Sequence, residues 1–241
     1  MIELRDVRKV YPDGHVALRG LSLRVEGGST VALLGPSGCG KTTTLKLINR
    51  LVAPTSGSVL VDAHDVSAMD PIQLRRGIGY VVQEAGLFPH VTAEANVEVV
   101  PRLLGWAPAR RRQRAAELFA LVGLDYRLHG PRYPAELSGG QRQRVGLARA
   151  LAADPPLVLM DEPFGALDPI TRRRLQREFL GLKGRLRKTV VLVTHDVEEA
   201  FLVADRIAVL SEGEVVQFGT PQEIRAAPAT DFVAEFVGTT R

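Results

Sequence analysis

Gly35-Pro36-Ser37-Gly38-Cys39-Gly40-Lys41-Thr42 has the spacing G-x-x-x-x-G-K-[ST] and sits between Val31-Ala32-Leu33-Leu34 and Leu45-Lys46-Leu47-Ile48. Strand, glycine loop and helix in that order read as a phosphate cradle. Glycines let the backbone turn inward, so successive N–H groups and the helix N-terminus converge on one anion. Lys41 would then meet the β- and γ-phosphates, and the Thr42 hydroxyl would be a ligand for Mg²⁺. The chain is expected to bind a nucleoside triphosphate.

Asp161-Glu162 follow the apolar run Leu157-Val158-Leu159-Met160. A carboxylate at the C-terminal end of a parallel strand lies where ligands bind in open α/β sheets. Asp161 is expected to hold Mg²⁺ through water and Glu162 to polarise an attacking water, although such a pair alone reads equally as a solvated strand end. His195 comes after Val190 to Thr194 in the same kind of position; a lone histidine is more often structural than catalytic. Leu137-Ser138-Gly139-Gly140-Gln141, ahead of Arg142-Gln143-Arg144, is a second glycine-rich helix start and so a second anion-binding end. Taken alone it is a plain helix cap. If both ends cannot reach one triphosphate within one chain, two copies facing head to tail complete each site. Cys39 lies at a helix N-terminus, where a thiolate is favoured, or is a small filler residue.

These groups need strands that end together and helices that start there. Glu3 to Val7 and Leu21 to Val25 alternate as short strands, with turn signals at Pro12-Asp13-Gly14 and Gly27-Gly28. Val59 to Val61 and Gly79 to Val82 are further strand candidates, while Leu157 to Met160 and Val190 to Val193 have the continuous apolar character of buried parallel strands. Helical stretches at Thr42–Leu51, Thr171–Leu186 and Val197–Ala204 alternate with them, so an α/β core with a mainly parallel sheet is expected. Between about Glu84 and Asp154 strand signals fade, and Ala115, Leu118, Phe119 and Val122 have helical spacing. This divides one domain into a core, 1–84 and 155–241, and a helical subdomain, 85–154. Ile207 to Leu210 and Val215 to Phe218 form a hairpin around Glu212-Gly213, and a short helical tail follows.

The net charge of +4 on 241 residues fits an anionic ligand or a position near a membrane and is too weak to argue for nucleic acid. The basic run Arg110 to Arg114 reads as a solvated helix face. One cysteine excludes an internal disulfide and suits a reducing compartment. No segment reaches the ~18 apolar residues of a spanning helix. Met1 to Asp6 lacks the blocks of a secretory signal, so a cytoplasmic location is expected.

In this order the motifs resemble the ATP-binding cassette family across nearly the whole chain. Besides the phosphate loop and Leu137–Gln141, Gln83 follows the strand Tyr80 to Val82, and Phe164-Gly165-Ala166-Leu167-Asp168 looks like the family's inter-subunit loop. His195 falls at its switch histidine. Tyr11 matches the aromatic that stacks on adenine, although an aromatic at an early strand end also packs. The resemblance implies a P-loop NTPase core with an N-terminal antiparallel β subdomain and a helical insertion. It implies a homodimer sandwiching two ATP molecules, with Ser138, Gly139, Gly140 and Gln141 of one copy at the γ-phosphate held by the other. It adds Thr43 and Gly35 to Thr42 to the nucleotide contacts, joins Gln83 to Thr42 and Asp161 around Mg²⁺, and makes Glu162, His195 and Gln83 the catalytic set.

Leu45 to Leu51 and Gly86-Leu87-Phe88-Pro89-His90-Val91-Thr92 look like importer cassettes, and Val99 to Trp106 narrows the likeness to uptake of quaternary amines such as glycine betaine, choline or carnitine. The implied partners are integral membrane permease subunits and, indirectly, a solute-binding protein, with the chain peripheral on the cytoplasmic face. Leu87, Phe88 and Pro89 would dock the permease or else pack onto their own subdomain. The alternatives are another importer substrate, such as a polyamine or amino acid, or an exporter; nucleic acid is not an expected partner.

Overall fold

The computed structural model describes residues 1–238 apart from 84, 166 and 187, with the side chains of 182, 185 and 186 also outside the description. Glu84, at the expected end of the first core segment, Ala166 of the Phe164–Asp168 loop, and Arg241 therefore lie outside the described residues.

In chain order the elements are β1 (Ile2–Val10), β2 (Val16–Val25), β3 (Thr30–Leu34), α1 (Lys41–Ile48), β4 (Ser56–Val61), β5 (His64–Asp65), α2 (Pro71–Arg76) and β6 (Ile78–Val81). There follow α3 (Ala93–Leu103), α4 (Pro108–Leu121), α5 (Tyr126–His129), α6 (Gly139–Leu151), β7 (Leu157–Asp161) and α7 (Pro169–Leu186). The last are β8 (Thr189–Thr194), α8 (Val197–Val203), β9 (Arg206–Ser211), β10 (Glu214–Gly219), α9 (Pro221–Ala226) and α10 (Asp231–Phe236). Two compact units result, Met1–Arg75 with Lys188–Arg241, and Arg76–Arg187.

The first unit carries two sheets. The N-terminal one is antiparallel, in the order β2-β1-β4-β5, with Leu4 opposite Leu23 on one side and Val59 on the other. Leu4, Leu23 and Val59 are all buried, so the alternation puts one face into a core. In the other sheet β3 lies between β8 and β9, parallel to both, and β9 closes a hairpin with β10. Every residue of β3 and of β8 is buried, the condition under which continuous apolar runs are stable as strands. Each Val or Leu so placed contributes about 1.5–3 kcal/mol of burial. Asp205 ties the edge, its carboxylate accepting from Thr30 N at 2.8 Å.

In the second unit β6 and β7 pair in parallel, Val81 with Met160. Helices α3, α4 and α6 pack together through Val97, Leu118, Phe119, Val145 and Ala148, all buried. The helix starts are capped by side chains: Thr92 Oγ1 accepts from Ala95 N, Asp125 from Leu128 N and Ser138 Oγ from Gln141 N. Each such cap stabilises its helix by about 1 kcal/mol. Among the described residues no helix is long and apolar enough to cross a membrane.

Candidate functional site

In the first unit the turn from β3 to α1 is the loop Gly35–Gly40. Its shape excludes side chains at two points. A Cβ on Gly35 would stand 2.2 Å from Leu210 O, and one on Gly40, at φ +102°, would stand 2.6 Å from Ala17 O. Unlike α3, α5 and α6, helix α1 starts on a residue with no side-chain cap. An uncapped helix start of this kind is where an anion binds.

Lys41 is buried, and its Nζ donates to Gly35 O and Pro36 O, each at 2.7 Å. The ammonium thus lies back across the loop, and an entering phosphate must draw it off two carbonyls. Burial pushes the Cys39 thiol up, against the downward pull of the Lys41 ammonium 3.8 Å away. Of the two readings of this residue, the thiolate is not favoured, because desolvation outweighs the nearby charge. Cys39 is a buried filler whose sulfur touches the space a Gly35 Cβ would need.

Thr42 and Thr43 lie in the first turn of α1, and the Tyr11 hydroxyl is 3.3 Å from Thr43 Oγ1. The Tyr11 ring stacks on His15 at 6.3 Å, with Lys9 Nζ 5.1 Å from its centroid. One hydroxyl contact thus holds the aromatic beside the phosphate loop. Leu34 and Thr194 are partners in the β3–β8 ladder, so His195, exposed, stands one residue past the end of that ladder, level with Gly35 where the phosphate loop begins. Asp196 caps α8, with its N–H donating to Thr194 Oγ1, which fixes the backbone on both sides of that histidine.

In the second unit Asp161 is the buried last residue of β7. Burial and the charge of Asp161 push the Tyr80 phenol up to about 12. Glu162 has φ +46°, a left-handed conformation that costs a non-glycine residue about 1–2 kcal/mol. Such strain concentrates where a side chain must be aimed. Gln83 Nε2 donates to Glu162 Oε2 at 3.3 Å. A Cβ at Gly165 would come within 3.3 Å of the same carboxylate oxygen, so the small residue leaves the carboxylate room.

Ser138 and Gly139 are exposed at the start of α6. Ser138 and Gln141 form a reciprocal capping box, and Gln141 Nε2 also meets His129 Nε2 at 3.3 Å. The plain cap considered from sequence is therefore present. It leaves the Ser138 hydroxyl hydrogen and the Gly139 and Gly140 N–H groups as donors at a helix N-terminus. Thus Tyr11, Gly35 to Thr43 and His195 lie in one unit, while Gln83, Asp161, Glu162 and Ser138 to Gln141 lie in the other.

Sequence reasoning missed three supporting residues. Gln143 of α6 donates to Pro163 O beside Glu162; Arg149 donates to Ala85 O and Gly86 O; Asn96, buried, bonds four times to the segment 88–92. Gln143 and Asn96 are uncharged amides bonded to backbone, and Arg149 resembles any helix arginine in sequence. Only its partners at long range distinguish it.

A family model described as ABC transporter matches residues 18–165. The chain is 54% identical over its whole length to the glycine betaine/carnitine/choline transport ATP-binding protein OpuCA of Bacillus subtilis (strain 168), of which it covers 63%. It is 56% identical over 93% of its length to the osmoprotectant import ATP-binding protein OsmV of Salmonella typhimurium (strain LT2), covering 59% of that protein. The chain therefore spans about six-tenths of the length of these curated relatives. Among solved structures, a dimeric ATP-binding cassette in a post-hydrolysis state bound to ADP and Pi superposes with a TM-score of 0.82 at 38% identity, over 92% of this chain and 99% of that one.

Proposed function

This chain belongs to the ABC transporter family, and from that membership we propose that it is the ATP-hydrolysing subunit of a membrane importer for quaternary-amine osmoprotectants such as glycine betaine or choline. The observation that carries the hydrolytic part is the strand end at Asp161-Glu162, where a strained backbone aims Glu162 and Gln83 holds its carboxylate. The solute class is supported by the likeness, over the whole of this chain, to a transport protein for those amines.

In this reading the uncapped first turn of α1 binds the phosphates, and Lys41 exchanges the Gly35 and Pro36 carbonyls for phosphate oxygens. Tyr11 offers its ring to adenine, and the hydroxyl of Thr43 keeps that ring in place. Glu162 accepts the proton of the attacking water, Gln83 orients its carboxylate, and His195 contacts the γ-phosphate. Catalysis is then mainly positioning and electrostatics, as phosphoryl transfer requires. The Thr42 hydroxyl, the Asp161 carboxylate and the Gln83 amide are hard oxygen donors of the kind Mg²⁺ takes, and a buried anionic Asp161 suits a divalent cation. When bound there, Mg²⁺ would neutralise charge on the β- and γ-phosphates.

The exposed N-terminus of α6 offers donors to a phosphate, and in this reading a second copy, facing head to tail, completes each site with Ser138, Gly139 and Gly140. Loss of the γ-phosphate removes the bridging anion and lets the pair part. The half-exposed Phe88, with Leu87 and Pro89, docks the permease on the cytoplasmic face, and a solute-binding protein delivers the amine to that permease. The test is ATPase activity of the chain reconstituted in liposomes with its permease and binding protein. Betaine or choline should stimulate it severalfold, and silence with both would remove the proposed solute class.

A further inference from the structure

Helix α6 touches three functional segments of its own unit. Its N-terminus is Ser138–Gly140, Gln143 reaches Pro163 O next to Glu162, and the Gly146–Arg149 face holds the segment that follows Gln83. The third contact is built with particular closeness. A Cβ on Gly146 would stand 3.1 Å from Ala85 Cβ and 3.3 Å from Ala85 O, so the loop lies directly on the helix backbone. Ala85 is buried and left-handed at φ +64°, and Gly86 follows at φ +50°.

Arg149 spans this strained pair. Its Nη2 donates to Ala85 O and its Nη1 to Gly86 O, each at 2.8 Å, while its guanidinium lies 5.8 Å from the centre of the Phe88 ring. The other half of the loop is held by α3. The Asn96 amide oxygen accepts from Phe88 N at 2.8 Å, and its nitrogen donates to the carbonyls of Phe88, Val91 and Thr92 at 3.0–3.3 Å. Phe88 is thus fixed through its backbone while its ring stays 44% exposed. The backbone that carries the ring is thus tied to α6 and α3.

We propose that Arg149 is a positioning residue that makes the loop 85–92 a rigid extension of α6, so that displacement of the Ser138–Gly140 end carries Phe88 with it. This rests on the reading that Ser138–Gly140 engages a nucleotide on a second copy and that Phe88 faces the permease. Arg149 acts through the carbonyls of Ala85 and Gly86. It converts closure of the nucleotide site into motion of the docking surface, and in the reverse direction it lets a seated permease act on α6. A lysine at 149 keeps the charge but not the fork that spans two carbonyls.

The experiment is hydrogen exchange on the full chain carrying Glu162→Gln, with and without ATP, in the parent and in Arg149→Ala and Arg149→Lys backgrounds. In the parent, ATP should slow exchange both at 138–145 and at 85–92. In Arg149→Ala it should slow 138–145 alone, with the loop exchanging about tenfold faster than in the parent. Arg149→Lys should fall between. Loop protection that follows ATP equally in all three overturns the proposal. Absence of an ATP effect at 138–145 in the parent overturns the two-copy reading, and this inference falls with it. Gly146→Ala is the second variant should Arg149→Ala fold poorly; its added methyl should uncouple the loop in the same way. In the reconstituted importer both variants should keep basal ATPase within about twofold and lose most solute stimulation, whereas a purely structural role would lower the two together.

Discussion

Replacing Glu162 by Gln isolates the proton-accepting step. The left-handed backbone at φ +46° carries the same cost for either side chain, and the two side chains have nearly equal volume. The amide oxygen of Gln can still accept from Gln83 Nε2, now 3.3 Å from the carboxylate, so the local geometry is retained. What is lost is basicity. Removing a positioned general base lowers the rate by about 10²–10⁴-fold, which is ~3–5 kcal/mol on the barrier. ATP affinity should hold or rise, since a negative charge leaves the neighbourhood of the triphosphate. Single-turnover phosphate release by rapid quench, beside titration with a fluorescent nucleotide, separates the two effects. Release within about threefold of the parent, with normal binding, would mean that another group takes the proton and that the strain at Glu162 serves something else.

Gly40→Ala places a methyl 2.6 Å from Ala17 O at φ +102°, so the loop must distort; a melting-temperature drop equivalent to about 1–3 kcal/mol and loss of nucleotide binding are expected in thermal-shift titrations. A variant that melts and binds like the parent would show that the loop tolerates a side chain there. Because burial raises the Cys39 thiol, maleimide labelling at neutral pH should be slow and should quicken as pH rises beyond the ordinary thiol range, with ATP slowing it further. Rapid labelling at pH 7 would contradict the burial seen for this sulfur.

The phosphate loop, the two acids and the Ser-Gly-Gly helix start were legible because their chemistry is local, with motif and flanking pattern lying within a dozen residues. The parallel core was legible for a related reason: β3, β7 and β8 are buried throughout and so read as unbroken apolar runs. The N-terminal strands were read too short. Asp6, at φ +46°, lies where the β1 ladder shifts register, and a bulge breaks the period-two alternation that marks a strand. Helix α3 was hidden by Pro101, which sits inside it two residues before its end and makes the segment look like a break. The Gln83–Glu162 bond joins residues 79 apart, and the hold of Arg149 on Ala85 spans 64. Periodicity carries no information over such separations. Of the two readings of Cys39, filler is the one that agrees with its burial; sequence shows the helix terminus but not the desolvation around the sulfur.

The claim on which the function rests is that Lys41 of one copy and Ser138 of another act on the same triphosphate. Chains carrying Lys41→Ala and chains carrying Ser138→Arg should each be inactive when reconstituted alone with the permease. Mixed in equal amounts, half of the pairs would contain one intact site of two, and about a quarter of the parent ATPase should return. A mixture as inactive as its components, with mixed pairs demonstrably formed, would contradict the shared site.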